Sequence, residues 1–172
     1  IGAFSFFPTK NLGGFGDGGL VTTDDNELAE LVRMLLRHGG KDKYNVDHIG
    51  YNARLDTLQA AALLVRLQYL DQFNQKRRQI SEIYNQAFSA NTSIITPQCC
   101  NICYDVSHQY TIRIKHGLRD QVQKKLQESS IDFAIYYPLP LHQMKVFKDR
   151  SRNATQLSQS ETRCQEVLSL PI

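Results

Sequence analysis

Ser5-Phe6-Phe7-Pro8-Thr9-Lys10-Asn11-Leu12-Gly13-Gly14-Phe15-Gly16-Asp17-Gly18-Gly19 is the stretch on which the reading of this chain turns. A short apolar segment enters it, and a brief strand, Leu20-Val21-Thr22-Thr23, leaves it. Five glycines between Gly13 and Gly19 call for unusual backbone angles or for close approach to another group. The run carries neither a Walker signature nor a Gly-x-Gly-x-x-Gly opening a helix, so it is not a nucleotide loop of those kinds. Lys10 sits where the strand gives way to these glycines. A lysine is a nucleophile only as the neutral amine, which burial or a neighbouring positive charge favours. By chemistry alone, however, a loop lysine is most often simply exposed.

Outward from this loop, Asp24 or Asp25 caps a helix whose Leu28, Leu31, Val32, Leu35 and Leu36 recur at helical spacing. His38-Gly39-Gly40 ends it. After a polar loop from Lys41 to Asn52, the pattern predicts one long helix from about Leu55 to Phe88. Its first half, Leu58 to Val65, is apolar on nearly every side, as in a helix buried in a larger body. Its second half is amphipathic through Leu70, Phe73, Ile80, Ile83, Tyr84 and Ala87, which suggests a connector between two domains with the boundary near Asp71. Beyond Pro97, His108 to Ile114 alternates with period two and places Tyr110, Ile112 and Ile114 on one strand face. Leu118, Val122 and Leu126 mark one side of a helix. Ile131 to Tyr136 reads as a strand ended by Pro138 and Pro140, and a last helix is expected from about Ser158 to Leu168. The second domain is then a sheet with helices on one face.

The 172 residues, 41% hydrophobic and 22% charged, are those of a globular chain with no apolar run long enough to span a membrane. Net charge is +3, and the densest basic cluster, Lys76-Arg77-Arg78, reads as a solvated helix face rather than a nucleic-acid footprint. Cys100-Asn-Ile-Cys103 has the spacing of a zinc knuckle or a redox pair. No second Cys/His pair follows, however, and the setting is a polar linker. Reduced thiols without a special role, Cys99 and Cys164 included, and no metal are the expectation, with the cytoplasm as compartment.

Several ordered segments together resemble the DegT/StrS family of PLP-dependent sugar aminotransferases. They are Ser5 to Gly13 with Gly16-Asp17-Gly18-Gly19, Gly50-Tyr51-Asn52-Ala53-Arg54-Leu55-Asp56 with Gln59-Ala60-Ala61, His108-Gln109-Tyr110, Tyr136-Tyr137-Pro138-Leu139-Pro140-Leu141-His142, and Leu168-Ser169-Leu170-Pro171. The Asn91 to Val106 linker resembles no family motif. The resemblance implies an α/β, aspartate-aminotransferase-like PLP-dependent transferase fold. Residues 1–70 would be the C-terminal part of the large PLP-binding domain, and residues 71–172 a small α+β domain. It implies that Lys10 links covalently to pyridoxal 5'-phosphate and then acts as general acid and base. Ser5 would hydrogen-bond the cofactor phosphate, and Asn52 would reach the phosphate of a neighbouring subunit, which implies a homodimer with shared sites. Arg54 would bind a carboxylate or phosphate at the dimer interface, or pair with Asp56 or Asp17. His142 is a candidate substrate-pocket residue, and His108 is architectural.

The implied reaction moves an amino group from an amino acid, glutamate by analogy, to a nucleotide-linked keto-deoxy sugar for surface polysaccharide or glycoside synthesis. The family's dehydratases carry histidine in place of the cofactor lysine, so Lys10 sets this chain apart from them. The alternative is a non-catalytic regulatory or binding protein on the same fold. Neither end has the look of a natural terminus, and the family's upstream half supplies the partner of the pyridine nitrogen and a phosphate-cradling helix. The chain therefore reads as a fragment with little activity of its own.

Overall fold

A computed structural model describes residues 1–42, 44–100, 102–148 and 157–172. They form two compact units, Ile1–Phe73 and Asn74–Ile172. In the first, β1 (Gly2–Ser5) and β2 (Gly19–Thr22) pair antiparallel, with Gly2 opposite Thr22 and Ser5 opposite Gly19. The lysine loop is therefore the connection of a hairpin. Helix α1 (Asn26–Leu35) follows, capped by Asp25, whose Oδ1 accepts from the Leu28 N–H at 3.0 Å. It stops where His38 and Gly39 take positive φ, and the Gly39 N–H closes on Met34 O at 2.9 Å.

The long helix expected from Leu55 to Phe88 is two helices, α2 (Thr57–Leu67) and α3 (Leu70–Phe88). No glycine or proline marks the break. The last turn of α2 tightens, and the Tyr69 N–H bonds Arg66 O at 3.0 Å, three residues back. The all-round apolar character of α2 has no cover within the described residues. Leu58 is 85% exposed and Leu64 64%, while Leu63 alone is buried.

The second unit is built on an antiparallel sheet of β3 (Ile94–Ile95), β4 (Tyr110–Ile114) and β5 (Val167–Leu170), in that order across the sheet. The alternation holds: Tyr110, Ile112 and Ile114 point to one side and, with Leu168, form the core. Tyr84 and Phe88 of α3 cover that face, as do Leu118, at the N-cap of α4 (Arg119–Glu128), and Val122 and Leu126 within it. Of the amphipathic positions expected on α3, Ile83 and Ala87 are exposed, because the inward stripe runs through Asn74, Arg77, Ile80, Ser81, Tyr84 and Phe88. On the opposite sheet face, Thr111 Oγ1 and Ser169 Oγ are 2.7 Å apart, and Arg113 pairs with Glu166 at 2.7 Å.

Four other expectations change. The strand begins at Tyr110, not His108. Ile131 to Tyr136 contributes one bridge, Ala134 to Ser169, in place of a strand. After a 3₁₀ turn (Leu141–Gln143) and the short α5 (Lys145–Lys148), α6 (Ser158–Glu166) ends before Leu168, which is fully buried in β5. Nor is Lys76-Arg77-Arg78 a merely solvated face. Arg77 Nη1 donates to the carbonyls of Ser107, His108 and Ile172, and Arg78 lies over the Tyr104 ring at 4.2 Å. No helix among the described residues is long and apolar enough to cross a membrane.

Candidate active site

Residues 6–18 bridge the open end of the β1–β2 hairpin. The pairing continues one step into the loop, with the Phe6 N–H donating to Gly18 O at 2.8 Å. The chain then turns through Pro8 and Thr9, where the Lys10 N–H donates to Phe7 O at 2.8 Å, and folds back so that the Gly14 N–H reaches Phe6 O at 2.8 Å. The return is so close that a Cβ at Gly13 would lie 2.4 Å from Pro8 O. Glycine is required there because backbone packs on backbone. Lys10 is half-buried at the turn of this doubled-back loop, and Ser5 stands at its entrance. The Ser5 Oγ accepts from the Phe7 N–H at 3.3 Å, which leaves its hydroxyl proton able to donate outward.

A tie from outside fixes the far side of the loop. Gln59, in the first turn of α2, accepts the Phe15 N–H on Oε1 at 2.7 Å across 44 residues of sequence. In the sequence this glutamine was only one letter of a matching segment. Nothing but its place beside Ala60-Ala61 pointed to it.

Asn52 and Arg54 lie on the strap that follows α1. The strap is laced to the end of that helix by Tyr51 N–H to Leu35 O at 2.7 Å, Ala53 N–H to Leu36 O at 3.1 Å and a bridge between Arg37 and Asn52. Arg54 pairs with neither Asp56 nor Asp17; its Nε donates to Asn52 Oδ1 at 3.1 Å. Because a guanidinium only donates, this bond fixes the orientation of the amide, and the Asn52 NH₂ is left to donate elsewhere. Both side chains are exposed.

His142 belongs to the second unit. Its Nε2 is 3.0 Å from Glu161 Oε1, and its side chain is 10% exposed. The imidazole hydrogen bond, aided by the Leu157 N–H, holds the Glu161 carboxyl below the usual carboxylate range. His142 lines a cleft of about 540 Å³ with Tyr136, Tyr137, Leu139, Arg163 and Cys164. It is thus both anchored and at the edge of a pocket. Its partner Glu161 had no signal in the sequence, lying 19 residues away beyond a stretch outside the described residues.

The four cysteines are free thiols. Cys100 Sγ and Cys103 Sγ are 2.7 Å apart in an exposed turn, with Asn101 outside the described residues. Hydrogen bonding from the Cys103 thiol holds Cys100 below the ordinary thiol range and raises Cys103. No group of three or more His, Cys, Asp or Glu side chains among the described residues could hold a metal ion.

Residues 1–172 match the DegT/DnrJ/EryC1/StrS aminotransferase family end to end. The chain belongs to that family. A "Pleiotropic regulatory protein" of Geobacillus stearothermophilus is 43% identical over 98% of the chain and 45% of its own length. A UDP-N-acetyl-3-dehydro-alpha-D-glucosamine 3-aminotransferase of Acidithiobacillus ferrooxidans is 40% identical over the whole chain and 45% of its own length. Among solved structures of the family, DesV of S. venezuelae, in complex with a ketimine intermediate, superposes with a TM-score of 0.92 at 39% identity. The superposition covers 99% of this chain and 45% of that one. The fold is thus the PLP-dependent aminotransferase α/β fold of the DegT family, and the chain spans about 45% of the length of these relatives.

Proposed function

We propose that the full-length protein carrying this chain is a PLP-dependent aminotransferase. It would transfer an amino group from an amino acid, glutamate by family analogy, to a nucleotide-linked keto-deoxy sugar in a polysaccharide or glycoside pathway. The carrying observation is the doubled-back loop, which holds Lys10 half-buried at its turn and is entered from Ser5. The groups present suit an anionic aldehyde cofactor: an amine at Lys10, a hydroxyl able to donate at Ser5, and at Asn52 an amide whose oxygen is engaged and whose NH₂ is left as donor. PLP, when bound, supplies the electron sink.

In this reading Lys10 would hold the cofactor covalently, and its amine would serve as the general acid and base that moves the proton at the reacting carbon. Ser5 donates to the phosphate. Asn52, with its amide set by Arg54, donates to the phosphate bound by a second subunit, which makes the enzyme a homodimer. Arg54 sets that amide through its Nε and keeps its Nη donors for a carboxylate or phosphate at the dimer interface. His142 and Arg163 border the sugar pocket from the second unit. Residues 1–70 are the end of the large domain and 71–172 the small one, and the site of action is the cytoplasm. The test is Lys10→Ala in the full-length protein. Amino transfer should fall at least 1000-fold, the scale expected when a covalent and general acid/base group is removed. Borohydride should fix PLP to Lys10 in the wild type and nowhere in the variant.

A second reading has one observation in its favour, the regulatory name of the Geobacillus relative. There the fold serves as a binding module, and Lys10→Ala would leave the protein's biological role intact.

A further inference from the structure

Asp56-Thr57-Leu58-Gln59 is the sequence of a helix capping box, in which the N-cap side chain bonds forward and the glutamine three residues on bonds back to the N-cap N–H. In the structure that local arrangement is not made. Asp56 is the N-cap of α2 but forms no side-chain cap bond, and Gln59 points away to accept the Phe15 N–H at 2.7 Å. Local helix stabilisation is given up for a bond across 44 residues. The loop is shaped around this side chain. A Cβ at Gly14 would stand 2.8 Å from Gln59 Oε1, and one at Gly16 would stand 2.9 Å from its Nε2. Two glycines thus flank the residue whose N–H the glutamine receives.

From these contacts we infer that Gln59 is a positioning residue for Lys10: it clamps the outer strand of the doubled-back loop and so fixes the turn that carries the amine. The path is short. Phe15 is held by Gln59, its neighbour Gly14 is bonded to Phe6 O, and Gly13 packs on Pro8 O, against the same backbone that turns into Lys10. Releasing Phe15 lets the return strand lift and the Lys10 turn widen. The assignment of a catalytic purpose to this clamp rests on the cofactor reading of Lys10.

The experiment uses the full-length protein without PLP, so that it does not depend on that reading. Hydrogen exchange is followed at the Phe15 amide, and the rate of reductive methylation of Lys10 is measured against the other lysines. Gln59→Ala should speed Phe15 exchange by about tenfold, the size of one lost hydrogen bond, and change the Lys10 rate by a similar factor. Gln59→Glu keeps an acceptor oxygen and should restore both. Gly14→Ala leaves Gln59 in place but displaces its Oε1, and should reproduce Gln59→Ala. The inference is overturned if Phe15 exchange is unmoved in Gln59→Ala, or if Glu fails to rescue. It also fails if Lys10 reactivity stays constant while the amide is released. Borohydride trapping of PLP on wild-type Lys10 tests the cofactor reading separately.

Discussion

The two units differ in how far each closes an apolar core of its own. In Asn74–Ile172, Tyr110, Ile112, Ile114 and Leu168 are at most 2% exposed and helices close over them. In Ile1–Phe73, Phe4, Leu20, Val21, Leu58, Leu64 and Val65 all stand in the open, and β2 is exposed along its length. An open groove of about 850 Å³ lies between the hairpin and α1, lined by Phe4, Leu20, Val32, Leu35 and Leu36. Arg66 Nε in α2 is buried without a hydrogen-bond partner among the described residues. One unit closes its own core; the other presents surface shaped for cover. The proposed catalytic lysine belongs to the uncovered unit, as expected where the rest of the site comes from additional polypeptide.

This contrast can be broken most directly in the closed core. Ile112→Ala should destabilise the second unit by about 2 to 5 kcal/mol, the range for emptying a packed aliphatic site, as read by urea unfolding. A loss under about 1 kcal/mol would mean that the core is not closed. Alkali gives the next effect. Burial pushes the Tyr110 phenol up to about 12. Its folded pKa lies above the unfolded value, so its contribution is complete below about pH 10 and is lost as pH rises toward 12. Tyr110→Phe should flatten that alkaline decline, at the expense of the 2.6 Å bond from its hydroxyl to Asn85 Oδ1.

A smaller effect is expected at the acid end. Because Glu161 is held below its ordinary range by His142, its contribution is present above the unfolded value and fades as pH falls through the folded one. Glu161→Gln should remove that acid slope in a pH-stability profile. The smallest change belongs to the open unit. Leu58→Ala in this chain alone should shift stability by no more than about 0.5 kcal/mol. The same substitution in the full-length protein should cost several times more if α2 is covered there, and equal costs would erase the comparison.

What the sequence disclosed follows the same division. The period-two pattern of Tyr110, Ile112 and Ile114 was readable because one face is dry and the other polar, and the cap was readable as Asp24 or Asp25 because capping is local, with the structure selecting Asp25. The loop around Lys10 was found through an ordered set of matching segments, not through any property of a lone lysine. Four features escaped. The α2–α3 break has no glycine or proline to announce it. The passage from α6 into β5 occurs at Glu166–Val167 with no punctuating residue, so Leu168 looked like the continuation of a helix. The bond from Gln59 to Phe15 and that from His142 to Glu161 join residues too far apart for spacing to reveal. For Arg54 the alternative of an ion pair with Asp56 or Asp17 is not realised, and its Nε holds a neutral amide two residues away.

The β1–β2 hairpin has a final consequence. Among the described residues each strand pairs only with the other, so the outer edge of each offers a row of unsatisfied amides and carbonyls beside apolar side chains. Such margins recruit further strands from whatever polypeptide is near. Prepared by itself at high concentration, this chain should stack copy upon copy through those margins, and a lysine or proline placed at Val21 should keep it dispersed.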